Sequence, residues 1–393
     1  MAQTVGAIDP STVPGGSGGY EIHQKLRTKT VRLLKKEKYN EAIDILYNGS
    51  VSLLDMNEQG SGCDLAVYLL EVYGLAKTPV DDTSRDRLTT ILGKTTAEFW
   101  RKKVILAAVK WSTTSSRPLG DAKLRLFIAE LLVKDKQYFA AETHFIAACA
   151  QDTAGVPAFA AMLKHWNEVY SATMAKRDPH APSADSVARV LAGTFALRGA
   201  IPLLIAKAPD AAHELLSTYI KQVTENNDAL LLPVKPNPKE YQSPANGIAS
   251  FSTKIYATAN PTLNFVQNIV ALACDAHHRS GPVADEIKAA WQHLIRQYMQ
   301  ESGTSGVDAY LYEFLSQISS IYFGMAPQRR NMDMLSSMFS NIMGGGAPAA
   351  GESAEPAVSI KQLPKPADAD ESDAAPAAPP ASEADQLMDD EMD

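Results

Sequence analysis

An all-α solenoid of antiparallel helical hairpins is what this sequence predicts, and three observations predict it. Apolar residues recur three and four apart through most of residues 20–343, as in Leu65, Leu69, Val72 and Tyr73, or Leu124, Phe127, Ile128, Leu131 and Leu132. The periodic stretches are joined by short segments with turn chemistry, among them "KEKY", "EQGSG", "KTPVDD", "RPLGD" and "KRDPHAPS". Short connections make successive long helices antiparallel neighbours, in a bundle or a solenoid. An internal similarity favours the solenoid: "KKEKYNEAIDIL" at 35–46 is matched by "VKDKQYFAAETHF" at 133–145. Each has a basic turn, then Tyr39-x-x-Ala42 or Tyr138-x-x-Ala141, and a small residue one turn after an aromatic lets two helices approach closely.

In chain order, helices are predicted over 20–37, 39–56, 62–77, 83–92, 94–113, 120–135, 137–151, 156–175, 183–198, 208–226, 261–280, 283–301 and 306–342. The first is basic, with Lys25, Arg27, Lys29, Arg32, Lys35, Lys36 and Lys38 against Glu37 within 23–38. Before the third stands "QGSGCDL", where Gly60 and Gly62 are expected to form a helix end and tight turn, and Ser61 or Asp64 to favour the next helix start. Asp81 and Asp82 read as the start of the fourth. Four prolines interrupt 227–260, and "IASFSTKIYAT" after an "NG" turn signal is rich in β-branched and aromatic residues. A short β-hairpin near 246–260 is therefore expected, inserted as a contact surface. The uncharged run from Ile255 to Cys274 is long enough to span a bilayer, but Asn260, Asn264 and Asn268 recur every four residues and would line one polar face of an amphipathic helix. Residues 1–19 and 344–393 are expected to be disordered.

Charge is divided unevenly. The tail 344–393 holds twelve acids against Lys361 and Lys365, a net of −10; with the whole chain at −8, residues 1–343 are left at +2. Cys63, Cys149 and Cys274 are odd in number and far apart, which suits a reducing compartment. No basic start followed by an apolar core opens the chain, so no signal peptide is read there, and a cytosolic protein is expected; the "NGS" sequon at 48–50 would then stay unused.

Catalytic patterns fail on context. A phosphate loop at "QGSG" would need a preceding strand and a lysine, and Asp64 would repel a phosphate. "GGSGG" at 15–19 fits G-x-S-x-G but has neither strand nor helix around it. Cys274, His277, His278 and His293 lack the paired spacing of a closed zinc site. The expectation is no enzyme, no metal and no cofactor. What remains is surface: a basic first helix that is either a solvated face or a dock for an acidic partner or nucleic acid, with few aromatics interleaved.

"YEIHQKLRT", "KYNEAIDILYNGSVSLL", "QGSGCDLAVYLLEVY", "VDD", "LNFVQ" and "IYFG" together resemble the fourth subunit of the guided-entry-of-tail-anchored-proteins (GET) pathway, the transmembrane-recognition-complex 35 kDa subunit family. The resemblance runs over most of 20–343 and leaves out both termini. It implies a right-handed α-solenoid with a β-hairpin toward its C-terminal side, and a non-catalytic adaptor that delivers tail-anchored membrane proteins. Such an adaptor binds a homodimeric targeting ATPase through its N-terminal half (20–150) and a ubiquitin-like-domain protein through 151–343. It meets a TPR co-chaperone only indirectly, and it favours the nucleotide-bound, closed ATPase. Matched by position, Tyr20, His23, Lys35 and Asp64 would face the ATPase, with Glu21 and Arg27 in the same stretch. The family's pattern also admits arginine at Lys35, and a lysine there forgoes bidentate pairing. For the ubiquitin-like partner the implied contacts are Ile248, Phe251 and Ile255 of the hairpin, with Leu263, Phe265, Val266, Tyr322 and Phe323; against these stands the tendency of aromatics at helical spacing to be core. Neither nucleic-acid binding nor direct membrane insertion is implied. A helical scaffold binding RNA or a proteasome-type assembly through the basic helix is the competing reading; an enzyme is the third.

Overall fold

The computed structural model describes residues 18–177, 180, 182–225, 227–242, 251–279, 281–301 and 307–325. The helices are α1 (Gly18–Leu34), α2 (Tyr39–Asp55), α3 (Gln59–Leu75), α4 (Asp82–Lys94), α5 (Glu98–Ser112), α6 (Ala122–Lys134) and α7 (Tyr138–Cys149). They continue with α8 (Val156–Arg177), α9 (Ala184–Ile205), α10 (Pro209–Thr224), α11 (Pro261–His278), α12 (Asp285–Glu301) and α13 (Val307–Phe323). Two strands, β1 (Lys239–Gln242) and β2 (Ser252–Ile255), intervene before α11. Helices pack on their chain neighbours and on the helix after next: α1 on α3, α3 on α5, α2 on α4, α4 on α6, α8 on α10, α9 on α11. Two layers of helices result, with one continuous apolar core from Ile22 to Phe323 between them.

One turn builds four of the hairpins. Glu37, Asn57, Lys136 and Lys207 all have φ between 57° and 62°, each two or three residues past a helix end. The next residue closes the turn onto the helix it leaves: Lys38 N–H donates to Leu33 O, Glu58 to Leu53 O, Gln137 to Leu132 O and Ala208 to Leu203 O. The residue after that starts the new helix, as Tyr39, Gln59, Tyr138 or Pro209. Three residues on stands a small one, Ala42, Gly62, Ala141 or Ala212, buried where the new helix crosses the old. The "Tyr-x-x-Ala" similarity is two of these four copies.

This turn corrects the reading of "QGSG". The bend is made by Asn57, and Gly60 and Gly62 lie inside the first turn of α3. A Cβ on Gly62 would stand 2.8 Å from Leu54 Cγ, and one on Gly60 3.3 Å from the Trp100 ring. Close approach, not φ freedom, is what requires glycine at 62. Ser61 and Asp64 do not cap α3, whose N-cap Glu58 has no side-chain cap bond; Asp81 does cap α4, in a reciprocal capping box with Ser84.

Three other expectations shift. The hairpin pairs Lys239 with Ile255 through Gln242 with Ser252, so its first strand comes from the proline-broken segment upstream of the expected 246–260. The asparagine face of α11 is a rail for this insertion, not a solvated face: Asn264 holds Thr258, and Gln267 bonds both the N–H and the C=O of Tyr256. Asn260 caps Leu263 N–H and donates to the carbonyls of Arg189 and Val190 on α9. Helix α9 runs past the predicted end at 198 and through Pro202, because Ala200, Ile201, Leu203 and Leu204 are all buried. By length and composition α9 could cross a membrane; half of that stretch is buried within the protein. Helix α13 ends at Phe323, and 326–343 lie outside the described residues.

Candidate functional site

Tyr20, His23 and Arg27 fall three and four residues apart, so one face of α1 carries them. Asp64 and Tyr68, four apart, share a face of α3. Because α1 and α3 are neighbours in one layer, the two faces meet. His23 Nε2 lies 2.7 Å from Asp64 Oδ2, and Arg27 Nη1 lies 2.6 Å from the same oxygen. A carboxylate oxygen only accepts, so Nε2 carries the hydrogen and donates. The Arg27 guanidinium also stands 5.3 Å from the centroid of the Tyr68 ring. The Tyr20 ring, 65% exposed, sits 6.4 Å from the imidazole.

Solvent exposure separates the roles. His23 is buried, Asp64 is half-buried, and Arg27 and Tyr20 are open. Asp64 is thus engaged within the protein: it fixes the imidazole and steadies the guanidinium, and Tyr20 and Arg27 present the outward chemistry. His23 Nδ1 is buried without a hydrogen-bond partner, so no nucleophile among the described residues is lined up on the ring. Burial raises the Tyr68 phenol above its ordinary value against the pull of Arg27. Tyr68 was missed in the sequence, although its place one turn after Asp64 could have found it.

Lys35 is exposed just past the C-terminus of α1, twelve residues from His23, or about 18 Å along a helix. It belongs to the same basic strip as Lys25, Lys29, Arg32, Lys36 and Lys38, all exposed, without joining the cluster. Glu21 is exposed on α1 as well.

The residues assigned to the second partner separate into two groups. Leu263, Phe265, Val266, Tyr322 and Phe323 are buried. Phe265 stacks on Tyr298 at 3.9 Å, Phe323 stacks on Trp291 at 4.5 Å, and Tyr322 donates to Leu204 O. These five are core, and removing them from a contact surface corrects the sequence reading. Phe251 and Ile255 are half-buried. Phe251 stacks over His278 and meets His213 edge-on, and β2 is pinned where His213 Nε2 lies 2.7 Å from Thr253 Oγ1. Ile248 lies outside the described residues.

Two of the zinc candidates, Cys274 and His278, are otherwise engaged. Cys274 Sγ donates to Pro209 O, burial pushes that thiol up, and His278 Nε2 pairs with Asp210. Among the described residues no three His, Cys, Asp or Glu are arranged to hold a metal ion.

Comparison with known proteins gives one family. The family model for Golgi to ER traffic protein 4 matches residues 36–343. Golgi to ER traffic protein 4 of Schizosaccharomyces pombe is 26% identical over 334 residues, covering 84% of this chain and 92% of that protein. A homologue from Takifugu rubripes is 32% identical over 130 residues, 32% of this chain and 40% of that protein. The crystal structure of C. therm. Get4 superposes with a TM-score of 0.64 at 23% identity, covering 87% of this chain and 95% of that one, a likeness of fold.

Proposed function

This chain belongs to the Golgi to ER traffic protein 4 family, and from that premise we propose that it is a non-catalytic adaptor of the cytosol. It bridges a ubiquitin-like-domain protein, and through it a TPR co-chaperone, to the homodimeric targeting ATPase that carries tail-anchored proteins. Residues 20–150 form the ATPase-binding half and 151–343 the half for the ubiquitin-like partner. The observation that carries the reading is the α1–α3 cluster: an exposed tyrosine and arginine beside a buried histidine paired with a half-buried aspartate, on a helix whose other exposed charges are almost all basic. Basic charge steers an acidic partner, and the fixed aromatic and guanidinium supply specific contacts. Restraint of the ATPase follows from binding its closed form more tightly than its open form. The ubiquitin-like partner meets the hairpin, with Phe251 and Ile255 at the contact edge.

The test is binding of the full chain to both purified partners. Tyr20→Ala and His23→Ala are expected to weaken the ATPase complex and leave the ubiquitin-like partner bound. Wild-type protein that binds neither partner, yet binds RNA with steep salt dependence, would replace the adaptor with an RNA scaffold.

A further inference from the structure

Helix α5 has an outward face that none of the described residues covers. Phe99 is 63% exposed and Leu106 61%, seven residues apart and so on one stripe, with Lys103 between them. Exposed single hydrophobics are common, but these are organised. The Phe99 and Trp100 rings meet edge-on at 5.1 Å, and Lys103 Nζ lies 4.5 Å and 4.6 Å from their centroids. Trp100 in turn rests on Gly60, one helical turn before Asp64 on α3. Through Trp100 and Gly60 the α5 stripe meets α3, the helix that carries Asp64, and α3 packs on both α1 and α5. Leu75, 62% exposed and three turns beyond Asp64, extends the same side of α3. The exposed charges of α5 are Lys102, Lys103 and Lys110 against Glu98 at its start.

We propose that the Phe99–Trp100–Lys103–Leu106 face of α5 is a second part of the protein-partner surface begun on α1 and α3. It takes an acidic segment that carries an apolar stripe. The chemistry sets the occupant: apolar positions one helical face apart accept an apolar stripe, and the flanking lysines select acidic neighbours. Lysine held over two rings pre-organises the patch, and such aromatic anchors dominate interfaces. The inference rests on the proposal that the α1–α3 face binds the targeting ATPase.

Titration calorimetry of the full chain with that ATPase, at fixed salt, is the test. Phe99→Ala is expected to raise Kd about tenfold, and Lys103→Glu by a similar factor that shrinks as salt rises. Both residues are exposed, so unchanged melting confirms that folding is not the cause. Wild-type affinity in both variants, with Tyr20→Ala still weakening the complex, overturns the α5 proposal and leaves the adaptor reading standing. If the wild-type protein does not bind the ATPase, both fall. Two further results overturn the α5 proposal: a short single-stranded RNA, not the ATPase, losing affinity in Phe99→Ala, or a self-association in sedimentation that Phe99→Ala abolishes.

Discussion

Asp64 gives the sharpest prediction, because a single oxygen atom serves two helical neighbours. Asp64 Oδ2 accepts from His23 Nε2 and from Arg27 Nη1, and both donors belong to α1. The Arg27 pair is worth little, since both side chains are more than two-fifths exposed; such pairs contribute about 0.2–1 kcal/mol. The His23 bond is worth more, because the imidazole is only 10% exposed and its Nδ1 already lacks a partner. Asp64→Ala leaves a buried ring with neither nitrogen satisfied, a cost of about 2 kcal/mol. Asp64→Asn keeps an acceptor oxygen for Nε2 and loses the charge, a cost of about 1 kcal/mol. The loss is local, because among the described elements α1 packs strongly on α2 and α3 alone. Hydrogen exchange therefore reads it where a global melt would not. Amides of α1 are expected to exchange about thirtyfold faster in Asp64→Ala and about fivefold faster in Asp64→Asn, with α8 to α10 unchanged. Equal exchange of α1 in wild type and Asp64→Ala would refute the positioning role. Faster exchange throughout the chain would refute its locality.

Three further predictions concern the scaffold. Gly62→Ala drives a Cβ to 2.8 Å from Leu54 Cγ and 3.2 Å from its backbone nitrogen, and is expected to cost about 1–3 kcal/mol in thermal unfolding; Gly60→Ala meets only the edge of Trp100 and should cost less. Asn260→Ala removes the α11 cap and the two bonds its amide donates to the Arg189 and Val190 carbonyls, which keep their helical donors within α9, for an expected loss of about 1–3 kcal/mol in the same assay. Burial, and then the nearby Arg125 guanidinium, lower His144 to about 4, and Arg125 Nη1 donates to its Nδ1. The unfolded chain takes up this proton near the ordinary value of 6.5 and the folded chain only near 4. Stability from this group is therefore complete above about pH 6.5 and falls by up to about 3 kcal/mol as pH drops to about 4. His144→Gln keeps an acceptor without the titration, so its melting point should fall less over that window.

The helices were legible because their apolar faces repeat, and the core residues read from period alone, Leu65, Leu69, Tyr73, Leu124 and Ile128, are buried. The hairpin turn was half legible. Its defining features are a left-handed residue and a small one five positions later, and the left-handed position accepts Glu, Asn or Lys. Only the copies that also begin their new helix with tyrosine stood out. "QGSG" misled for a related reason: glycine marks both a bend and a close helix approach, and the sequence does not say which. In the candidate site, the family resemblance, not spacing, named Tyr20, His23, Arg27 and Asp64; the pairing of His23 with Asp64 spans 41 residues and is set by the α1–α3 packing. Leu263, Phe265 and Val266 show the limit most plainly. Position in a matched stretch cannot separate residues that touch a partner from those that shape the surface beneath.

That distinction bears on how an adaptor works. Holding two partners at once raises their effective concentration most when the link matches the span between them, and a stiff link keeps that span fixed. In this chain the stiffness has a visible source: each of the four repeated turns closes on the helix before it and buries a small residue against it. The hairpin is tied down as firmly, because Gln267 and Asn264 hold its base to α11, and Asn260 joins that helix to α9. On the adaptor reading, Gln267→Ala should therefore free the hairpin without disturbing the ATPase-facing cluster. Its signature would be faster exchange at Tyr256 and Thr258, a weaker ubiquitin-like complex and an unchanged ATPase affinity. Loss of ATPase binding in Gln267→Ala would show that the two faces are coupled through the stack and not merely carried by it.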